Sequence, residues 1–386
     1  MYKQAIAKEI LDFTDTVKKF VKKDCEPIDD LIEAQGKIPE PVVQKVRDLG
    51  LYGMTIPTEY GGLGIGATGY CLVAKQMGWA HGAFRSLIAV NNGIGSQAIL
   101  LAGSEEQKQK YLPDLAAGKK LSCFCLTEPG AGSDAGAMTT TAVKDGKFWV
   151  LNGLKHFITN APIADVFTVL ALNDKEKRTK GGITAFIVDK GTPGLKIGQL
   201  HEHMGSKAAH QSEVIFEDCR VPEENVIGKV GEGFRTAMKT LDIGRLTLAA
   251  SCIGYAEKLL KMGSDYAKVR VQFGKPIAEF QAIQWMLADC ATEIYAADCM
   301  MLDAALRYDA GERQGALASM AKLYASEIAC KVADRVLQIH GGMGYMVETK
   351  VERYYRELRL YRLVEGTSEI QRLVISRAVL KDELQI

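Results

Sequence analysis

Residues 148–188 contain three short stretches rich in β-branched and aromatic residues: Phe148-Trp-Val-Leu151, Val166-Phe-Thr-Val-Leu-Ala171 and Ile183-Thr-Ala-Phe-Ile-Val188. Asn-Gly, Asp-Lys and Gly-Gly pairs separate them, and such pairs are typical of turns. The pattern predicts short strands of a sheet or a small barrel between about residues 121 and 230. The middle of the chain is therefore expected to be a β domain.

On both sides of this segment the apolar residues recur at helical spacing. The N-terminal third shows it from Ile6 to Val21, and long runs return after Gly233, from Phe234 to the Tyr266 region, after Pro276, and from Ala316 to about Gln338. The order predicts an α+β protein of three domains, in which the outer two can pack together as a bundle. We place the N-terminal α-helical domain at 1–121, the middle β domain at 122–231 and the C-terminal α-helical bundle at 232–386.

Composition excludes several classes of protein. The 386 residues carry a formal net charge of +1 with both signs evenly spread, so no footprint for nucleic acid or an anionic membrane is present. The nine cysteines show no zinc or disulfide spacing. Residues 1–25 read as an amphipathic helix rather than a signal peptide, and no apolar stretch is long enough to span a membrane. We expect a soluble protein of the cytoplasm, or of a matrix compartment in a eukaryote.

The stretch Tyr361-Arg-Leu-Val-Glu-Gly-Thr-Ser-Glu-Ile-Gln-Arg372 presents a lone carboxylate, Glu365, followed at once by glycine. Glycine lets a flat ligand approach the backbone, and a carboxylate in such a place can act as a general base. Alternatively, Gly-Thr-Ser opens a helix whose first turn carries Glu369.

Two further stretches are ambiguous by themselves. The glycines of Gly130-Ala-Gly-Ser-Asp134 would let backbone N–H groups approach a pyrophosphate or a flat ring, yet an ordinary glycine-rich turn has the same composition. Phe157-Ile-Thr159 follows a predicted strand, where an aromatic side chain either stacks on a flat ligand or lies in the core. His201, His203 and His210 are closely spaced, but without an Asp or Cys pattern beside them we predict no metal site.

Five segments in order resemble the acyl-CoA dehydrogenases, flavoproteins that oxidise acyl thioesters at Cα and Cβ. Besides the Glu365 segment they are Thr127-Glu-Pro-Gly-Ala-Gly-Ser-Asp134, Asn152-Gly-Leu-Lys-His-Phe-Ile-Thr-Asn160, Arg270-Val-Gln-Phe-Gly-Lys-Pro276 and Gln338-Ile-His-Gly-Gly-Met-Gly-Tyr345. The resemblance covers essentially the whole chain. It implies the family's fold, with an N-terminal helical domain, a middle β domain and a C-terminal four-helix bundle.

The resemblance implies FAD as the cofactor. It assigns contacts with the flavin or the thioester to one group of residues in the middle domain: Phe124, Leu126, Thr127, Gly132, Ser133, Phe157, Ile158 and Thr159. The family usually has tryptophan where this chain has Phe157. The resemblance also assigns Arg270, Phe273 and Gln281 to FAD. A further set is assigned to FAD that is held mainly by a neighbouring subunit: Gln338, Gly341, Gly342, Thr367 and Glu369. An FAD completed across a subunit boundary implies an oligomer, commonly a homotetramer of paired dimers in this family.

The substrate side of the resemblance comprises Arg85, Ser133, Asp242, Arg245 and Gly366. One branch of the family carries its glutamate where this chain has Gly244, which leaves Glu365 without a rival. Ser86 through Gly93 resembles the short-chain branch, whereas Arg85 coincides with an arginine that grips a distal carboxylate in glutaryl-CoA-type relatives. Alternatively, Arg85 points to solvent or pairs with a local acid. Val364 stands where decarboxylating members have tyrosine, which argues for oxidation without loss of CO2.

The implied reaction is removal of the Cα proton by Glu365 while a hydride leaves Cβ for flavin N5. The thioester carbonyl is polarised by the Glu365 backbone N–H and a ribityl hydroxyl. The product is a trans-2-enoyl-CoA, and the electrons pass to electron-transfer flavoprotein. Two alternatives stay open: an oxidase acting on an acyl-carrier-protein thioester, and a catalytically silent FAD-binding relative.

Overall fold

The computed structural model describes residues 6–312 and 315–384, which form helices, then a sheet, then helices again. The predicted order of elements is confirmed. The helices that precede the sheet are α1 (Lys8–Phe20), α2 (Asp29–Gln35), α3 (Glu40–Asp48), α4 (Gly66–Met77), α5 (Gly82–Ala89), α6 (Ser96–Ala102) and α7 (Glu105–Ala116). Ser104 begins α7 with a capping box, because its hydroxyl accepts from the Gln107 backbone N–H and the Gln107 side chain bonds back.

The middle of the chain forms one mixed sheet of eight strands. They are β1 (Ser122–Cys125), β2 (Thr141–Asp145), β3 (Phe148–Thr159), β4 (Val166–Leu172), β5 (Ile183–Asp189), β6 (Leu195–Leu200), β7 (Gln211–Pro222) and β8 (Val226–Ile227). The order across the sheet is β6-β7-β3-β2-β4-β5-β8, and β1 also pairs with β4, in parallel.

Helices dominate again after the sheet. They are α8 (Gly233–Val269), α9 (Gln281–Asp309), α10 (Gly315–His340), α11 (Gly342–Tyr345), α12 (Val351–Tyr361) and α13 (Ser368–Leu380), and a hairpin of β9 (Val271–Gln272) and β10 (Lys275–Pro276) lies between α8 and α9. The three long helices expected from apolar spacing are α8, α9 and α10. Within the two described ranges, every helix is too short or too polar to cross a membrane.

Both faces of the sheet are buried at β1, β4 and β5, where alternation along the strand decides which core a residue enters. In β1 and the residue after it, Phe124 and Leu126 face α6 and α7, while Cys123 and Cys125 face the opposite core. Strands β4 and β5 alternate in the same way. The period of two that marks these strands in the sequence is therefore the division between two cores.

The helices before and after the sheet share one core. It combines Phe20, Tyr70 and Phe84 of the first group with Leu248 and Val332 of the second. Helix α4 packs against both α8 and α9. The expectation that the two outer domains pack together is confirmed.

The expected turn at Asn152-Gly153 is wrong, because β3 continues through it. Pairing with β7 shifts register between Leu151 and Gly153, and the Asn152 side chain exchanges hydrogen bonds with Asp218 across the irregularity. A Cβ at Gly153 would lie 2.5 Å from the Thr140 hydroxyl oxygen. Glycine here allows two backbone segments to approach closely at a β-bulge, and the chain does not reverse its direction at this point.

A buried ion pair ties the glycine-rich turn after β1 to β3. The Lys155 ammonium lies 2.8 Å from a Glu128 carboxylate oxygen and also donates to the Leu126 carbonyl. The carboxylate accepts the backbone N–H groups of Thr139 and Thr140. Burial opposes ionisation of Glu128, but Lys155 and these hydrogen bonds outweigh it and lower the pKa of Glu128 to about 2.

We expect Lys155→Met to destabilise the fold by about 3–5 kcal/mol, because it leaves the buried Glu128 carboxylate without its cation. The stability that Glu128 contributes is present above its unfolded pKa near 4.5 and is lost as the pH falls toward 2. Urea unfolding at pH 7 and at pH 3 measures both effects. Lys196→Met is the matched control, since its 2.6 Å pair with Glu217 is exposed, and it should cost under about 1 kcal/mol. Equal costs for the two variants would contradict the prediction.

Candidate active site

Glu365 lies in a strained loop between α12 and α13. Its φ is 56° and that of Gly366 is 93°, so two consecutive residues are left-handed. The Gln371 side-chain amide donates to both carbonyls, at 3.1 Å to Glu365 and 2.8 Å to Gly366. The Thr367 hydroxyl caps α13 by accepting from the Ile370 backbone N–H at 3.3 Å. The helix start that the sequence offered as an alternative is real, and its cap fixes the backbone two residues after Glu365, so it is compatible with a functional role for this carboxylate.

The Glu365 carboxylate is nearly buried and half satisfied. One oxygen accepts from the Arg85 guanidinium at 2.8 Å, and each of the two side chains is 12 % exposed. The other oxygen has no hydrogen-bond partner among residues 6–312 and 315–384. It packs against Gly244 of α8, where a Cβ would lie 2.3 Å from it. Any larger residue at position 244 would occupy the space of this carboxylate oxygen.

Arg85 reaches Glu365 from α5 in the N-terminal group of helices. Its guanidinium carbon lies 5.2 Å from the centre of the Tyr361 ring, which adds a cation–π contact. Burial opposes the charge, but Glu365 outweighs it and raises the pKa of Arg85 above its usual value. The sequence left three partners open for Arg85: a distal carboxylate of the substrate, solvent, or an acid of the protein. In the single chain Arg85 pairs with an acid, and that acid is Glu365, the candidate base.

A small cavity adjoins Arg85. Met54, Tyr70, Phe84, Arg85 and Thr247 are among its lining residues, and its volume is about 20 Å³, enough for roughly one water molecule. The Tyr70 hydroxyl and Arg85 Nε are buried without a hydrogen-bond partner in the described part of the chain. Two unsatisfied donors therefore lie at the same end of the site.

Other polar side chains surround the backbone of the loop. Arg245 Nε donates to the Glu365 carbonyl at 3.4 Å, and its guanidinium pairs with Asp242 at 3.1 Å. Lys322 of α10 donates to the Gly366 carbonyl at 2.7 Å. The structure thus brings Arg85, Asp242, Arg245 and Gly366 to Glu365, as the resemblance implied.

The middle-domain residues assigned to FAD divide by exposure. Phe124 and Leu126 are buried in the core beneath the sheet, and Ile158 is buried in the opposite core, so each offers mainly backbone to a ligand. Thr127 and Thr159 are half-buried, and Gly132 and Ser133 are exposed. Apart from the two chain neighbours, the described residues place no atom within 4 Å of where a Cβ would be at Gly130 or Gly132. The glycine-rich turn therefore leaves open space at its backbone, which suits a bulky flat or phosphate-bearing group.

Phe157 is 56 % exposed and has a φ of 57°. The rings of His156 and His201 lie 4.0 and 5.2 Å from its own, so the three side chains form one aromatic surface. Burial, followed by the nearby His156, lowers the pKa of His201. An aromatic side chain presented outward from a strand end, in a rare backbone conformation, fits stacking on a planar ring better than a place in the core.

The assigned FAD residues of the hairpin, the start of α9 and the end of α10 gather at one end of the C-terminal helices. Ile277, Ala267 and Ile339 form a small core there, joined by partly buried Tyr266 and Phe280. This core holds the β9–β10 hairpin beside the end of α10. The assigned residues around it are exposed in the single chain: Arg270, Phe273, Gln281, Gln338, Gly341 and Gly342; Glu369, at the start of α13, is exposed as well.

One group in the described ranges has a ligand set suited to a metal ion, namely Glu33, His81 and Glu357. The Nδ1 atom of His81 accepts the Ala83 backbone N–H at 3.1 Å. Its Nε2 therefore carries the proton and donates to Glu33 at 3.0 Å. A nitrogen that carries a proton is not a metal ligand, so this group reads as a hydrogen bond between His81 and Glu33 with the buried Glu357 carboxylate 3.7 Å from Nε2.

Sequence reasoning missed Lys322, Gln371 and Tyr70. A signal existed for Lys322, because it lies on the apolar stripe of α10 with Ala318, Ala325 and Ala329. Neither the residue type nor the spacing of Gln371 and Tyr70 in the sequence predicts a place at this site.

Comparisons with known proteins agree along the chain. Residues 7–119, 123–219 and 231–380 match the N-terminal, middle and C-terminal domains of acyl-CoA dehydrogenases. The chain is 42% identical to a 3-(aryl)acrylate reductase of Clostridium sporogenes, over 94% of this chain and 96% of the relative. It is 44% identical to the subunit CarC of a caffeyl-CoA reductase–Etf complex of Acetobacterium woodii, over 91% and 93%.

Solved structures are similar as well. Butyryl-CoA dehydrogenase from Megasphaera elsdenii has a TM-score of 0.94 at 36% identity, covering 97% of this chain and 99% of that one. A glutaryl-CoA dehydrogenase in complex with glutaryl-CoA scores 0.92 at 35% identity, with 97% and 96% covered. An acyl-CoA dehydrogenase of Bacillus anthracis complexed with FAD scores 0.90 at 35% identity, with 99% and 69% covered.

We expect Gly244→Ala to displace the Glu365 carboxylate without unfolding the protein. The new Cβ would meet the free end of a flexible side chain at 2.3 Å, and a helical alanine offsets some of the cost, so stability should change by under about 1 kcal/mol. A crystal structure and a thermal melt test both parts. Gly263→Ala in the same helix is the control, because its nearest neighbour, at 3.2 Å, is a Val336 methyl carbon. An unmoved carboxylate in the Gly244 variant would contradict the prediction.

Proposed function

The chain belongs to the acyl-CoA dehydrogenase family, and we propose that it catalyses α,β-dehydrogenation of an acyl-CoA to the trans-2-enoyl-CoA with Glu365 as the base. Members of this family are FAD-dependent oxidoreductases that act on acyl-CoA. The observation that carries the assignment of the base is the Glu365 carboxylate, nearly buried, with one oxygen unpartnered in the described chain and facing Gly244. A general base needs an available lone pair in a site from which water is excluded.

FAD is the cofactor of this function, and two groups of residues would hold it. The open turn at Gly130–Ser133 and the outward Phe157 with Thr159 would hold it in one subunit, while the exposed end of the C-terminal helices would complete the site of a second subunit. When bound, FAD supplies the acceptor for the hydrogen that leaves Cβ. The relative complexed with FAD supports this choice of cofactor.

The protein's own groups handle the proton. Arg85 holds one Glu365 oxygen, which leaves the other to take the Cα proton. The left-handed loop aims the carboxylate toward α8, and the Glu365 backbone N–H polarises the thioester carbonyl, which acidifies Cα. Asp242 and Arg245 orient the thioester next to the loop.

The substrate is a compact acyl group, either short or polar at its far end. The cavity beside Arg85 has about 20 Å³, which is room for roughly one water molecule, so a larger terminal group would enter only with movement of the lining. Arg85 Nε and the Tyr70 hydroxyl would donate to a terminal carboxylate or hydroxyl. The similar dehydrogenases of butyryl-CoA and glutaryl-CoA span these two possibilities.

A second candidate function is the reverse reaction, reduction of a 2-enoyl thioester. Its support is the similarity to an arylacrylate reductase and to a caffeyl-CoA reductase subunit. The same groups serve, with a protonated Glu365 delivering the proton to Cα. Electron-transfer flavoprotein is the proposed electron partner in either direction, in keeping with the Etf complex of that relative.

We assign a homotetramer of paired dimers to the functional protein. Large apolar side chains are exposed next to the C-terminal residues assigned to FAD, with Phe273 94 %, Tyr345 80 % and Trp285 64 % exposed. Exposed apolar clusters of this kind mark surfaces that another chain covers. Sedimentation at micromolar concentration tests this assignment.

We expect Glu365→Gln to keep one FAD per subunit and to slow flavin bleaching by substrate about 10²- to 10⁴-fold, because the amide keeps the shape but cannot accept the proton. Anaerobic stopped-flow absorbance with butyryl-CoA and glutaryl-CoA measures it. Glu176→Gln, on an exposed loop of the middle domain, is the control. Bleaching at nearly the parent rate would assign the base to another residue.

We expect Arg85→Ala to lower kcat/KM for a dicarboxylyl-CoA about tenfold to a hundredfold more than for butyryl-CoA. With either substrate the variant lacks the hydrogen bond from Arg85 to Glu365, but only the dicarboxylic substrate also loses a bond to its own terminus. The ratio of the two losses, measured in one preparation, separates these effects. Equal losses would mean that Arg85 contacts Glu365 and not the substrate terminus. If the parent enzyme were active on butyryl-CoA but on no dicarboxylic thioester, the substrate class would be short unbranched acyl chains.

A further inference from the structure

Lys322 is a buried ammonium without a carboxylate partner. The residue is 0 % exposed, and no Asp or Glu oxygen lies within ion-pair distance of it in residues 6–312 and 315–384. Its nearest polar contact is the Gly366 carbonyl oxygen, at 2.7 Å. Burial lowers the pKa of Lys322 to about 8.

Such a group costs stability, since a methionine of similar size would fill the same place in α10 without a desolvated charge. Helix α10 is otherwise lined there by alanines, and the stripe of Ala318, Ala325 and Ala329 needs no cation for its packing. The group that receives the Lys322 hydrogen bond is the Gly366 carbonyl, in the turn where Glu365 and Gly366 both have left-handed backbone.

Three side chains from three helices hold the carbonyls of Glu365 and Gly366, which belong to the two successive peptide groups of this turn. Gln371 of α13 donates to both, Arg245 of α8 donates to the Glu365 carbonyl, and Lys322 of α10 donates to the Gly366 carbonyl. Lys322 forms the shortest of these bonds and carries a charge, which makes a stronger hydrogen bond than an amide does. Because Glu365 has a φ of 56°, a loosened peptide would relax toward a commoner backbone conformation and turn the carboxylate away from Arg85 and Gly244.

We propose that Lys322 is a positioning residue: its ammonium, bonded to the Gly366 carbonyl, holds the Glu365-Gly366 turn in the conformation that presents the Glu365 carboxylate to substrate, and the rate falls when the ammonium loses its proton. The inference rests on the proposed role of Glu365 as the base. It adds a second protonation requirement, remote from the reacting atoms, to the one on Glu365 itself.

The charged and titratable groups facing Lys322 come from each neighbouring element. They are Cys252 and Arg245 on α8, Glu327 on α10 and Glu365 in the loop. Arg362 pairs with Glu327 at 2.9 Å. Burial raises the pKa of the Cys252 thiol far above the neutral range, so Cys252 does not titrate where Lys322 does.

Activity and stability should respond to pH in opposite directions. Between about pH 8 and the unfolded value of 10.5, the folded chain binds fewer protons at Lys322 than the unfolded chain does. The contribution of Lys322 to stability therefore rises with pH in this window, while the positioning bond weakens. A loss of rate above pH 8 is thus local and not a consequence of unfolding.

Lys322→Met tests the inference directly. We expect the rate of flavin reduction by butyryl-CoA to fall about tenfold to a hundredfold with KM within about twofold, because one charged hydrogen bond is lost. The alkaline limb near pH 8 that the parent shows should be absent from the variant. Lys322→Arg should recover a large part of the rate, and Lys331→Met, on the exposed side of α10, should match the parent.

Hydrogen exchange of the flavin-free chain provides a readout that does not need turnover. The Ser368 amide, which donates to the Arg362 carbonyl at 3.1 Å across the loop, should exchange faster in Lys322→Met than in the Lys331→Met control. Unchanged exchange, or a variant that keeps both the parent rate and the alkaline limb, overturns the inference. A parent rate that stays constant up to about pH 9.5 overturns it even where the variant fails to fold. If no acyl-CoA reduces the flavin of the parent, the proposed function fails, and exchange alone still decides whether Lys322 holds the loop.

Discussion

The ion pair between Arg85 and Glu365 is the contact on which the candidate site depends. Taking both charges out of water costs several kcal/mol per ion, and only close geometry with additional partners offsets that cost. The pair spans 280 positions of sequence and joins α5 to the loop between α12 and α13. It therefore forms only when the two helical domains share their core, which makes the position of the candidate base a consequence of domain packing.

Polar residues in the C-terminal bundle concentrate where that loop crosses it. Arg245 and Lys322 are almost completely buried and both donate to loop carbonyls, while Gly244 leaves the volume that the Glu365 carboxylate fills. Left-handed backbone at a residue other than glycine costs about 1–3 kcal/mol. The bundle therefore has polar or small residues instead of larger apolar ones at a few positions. These residues stabilise a loop conformation that a short isolated segment would not keep.

The order of domains and the long helices could be predicted because period and turn residues are local properties of a sequence. Glu365 stood out for the same reason, as a carboxylate next to glycine. The partner of Arg85 could not be read in this way, since pairing across 280 positions depends on how the domains pack. Asn152-Gly153 has the composition of a turn, yet pairing with β7 on both sides makes it a bulge. Ile158 illustrates the remaining gap, because its motif suggests ligand contact while strand alternation buries its side chain.

The pairing with Arg85 also links the candidate base to the far end of the site. One Glu365 oxygen lies 2.8 Å from the guanidinium, while the other has no hydrogen-bond partner in the described chain and faces Gly244. The same guanidinium lines the small cavity between α4, α5 and α8. In the proposed function, a substrate with a terminal anion would draw Arg85 toward that cavity and away from Glu365. The terminus of the acyl group and the position of the candidate base would therefore be coupled through one arginine.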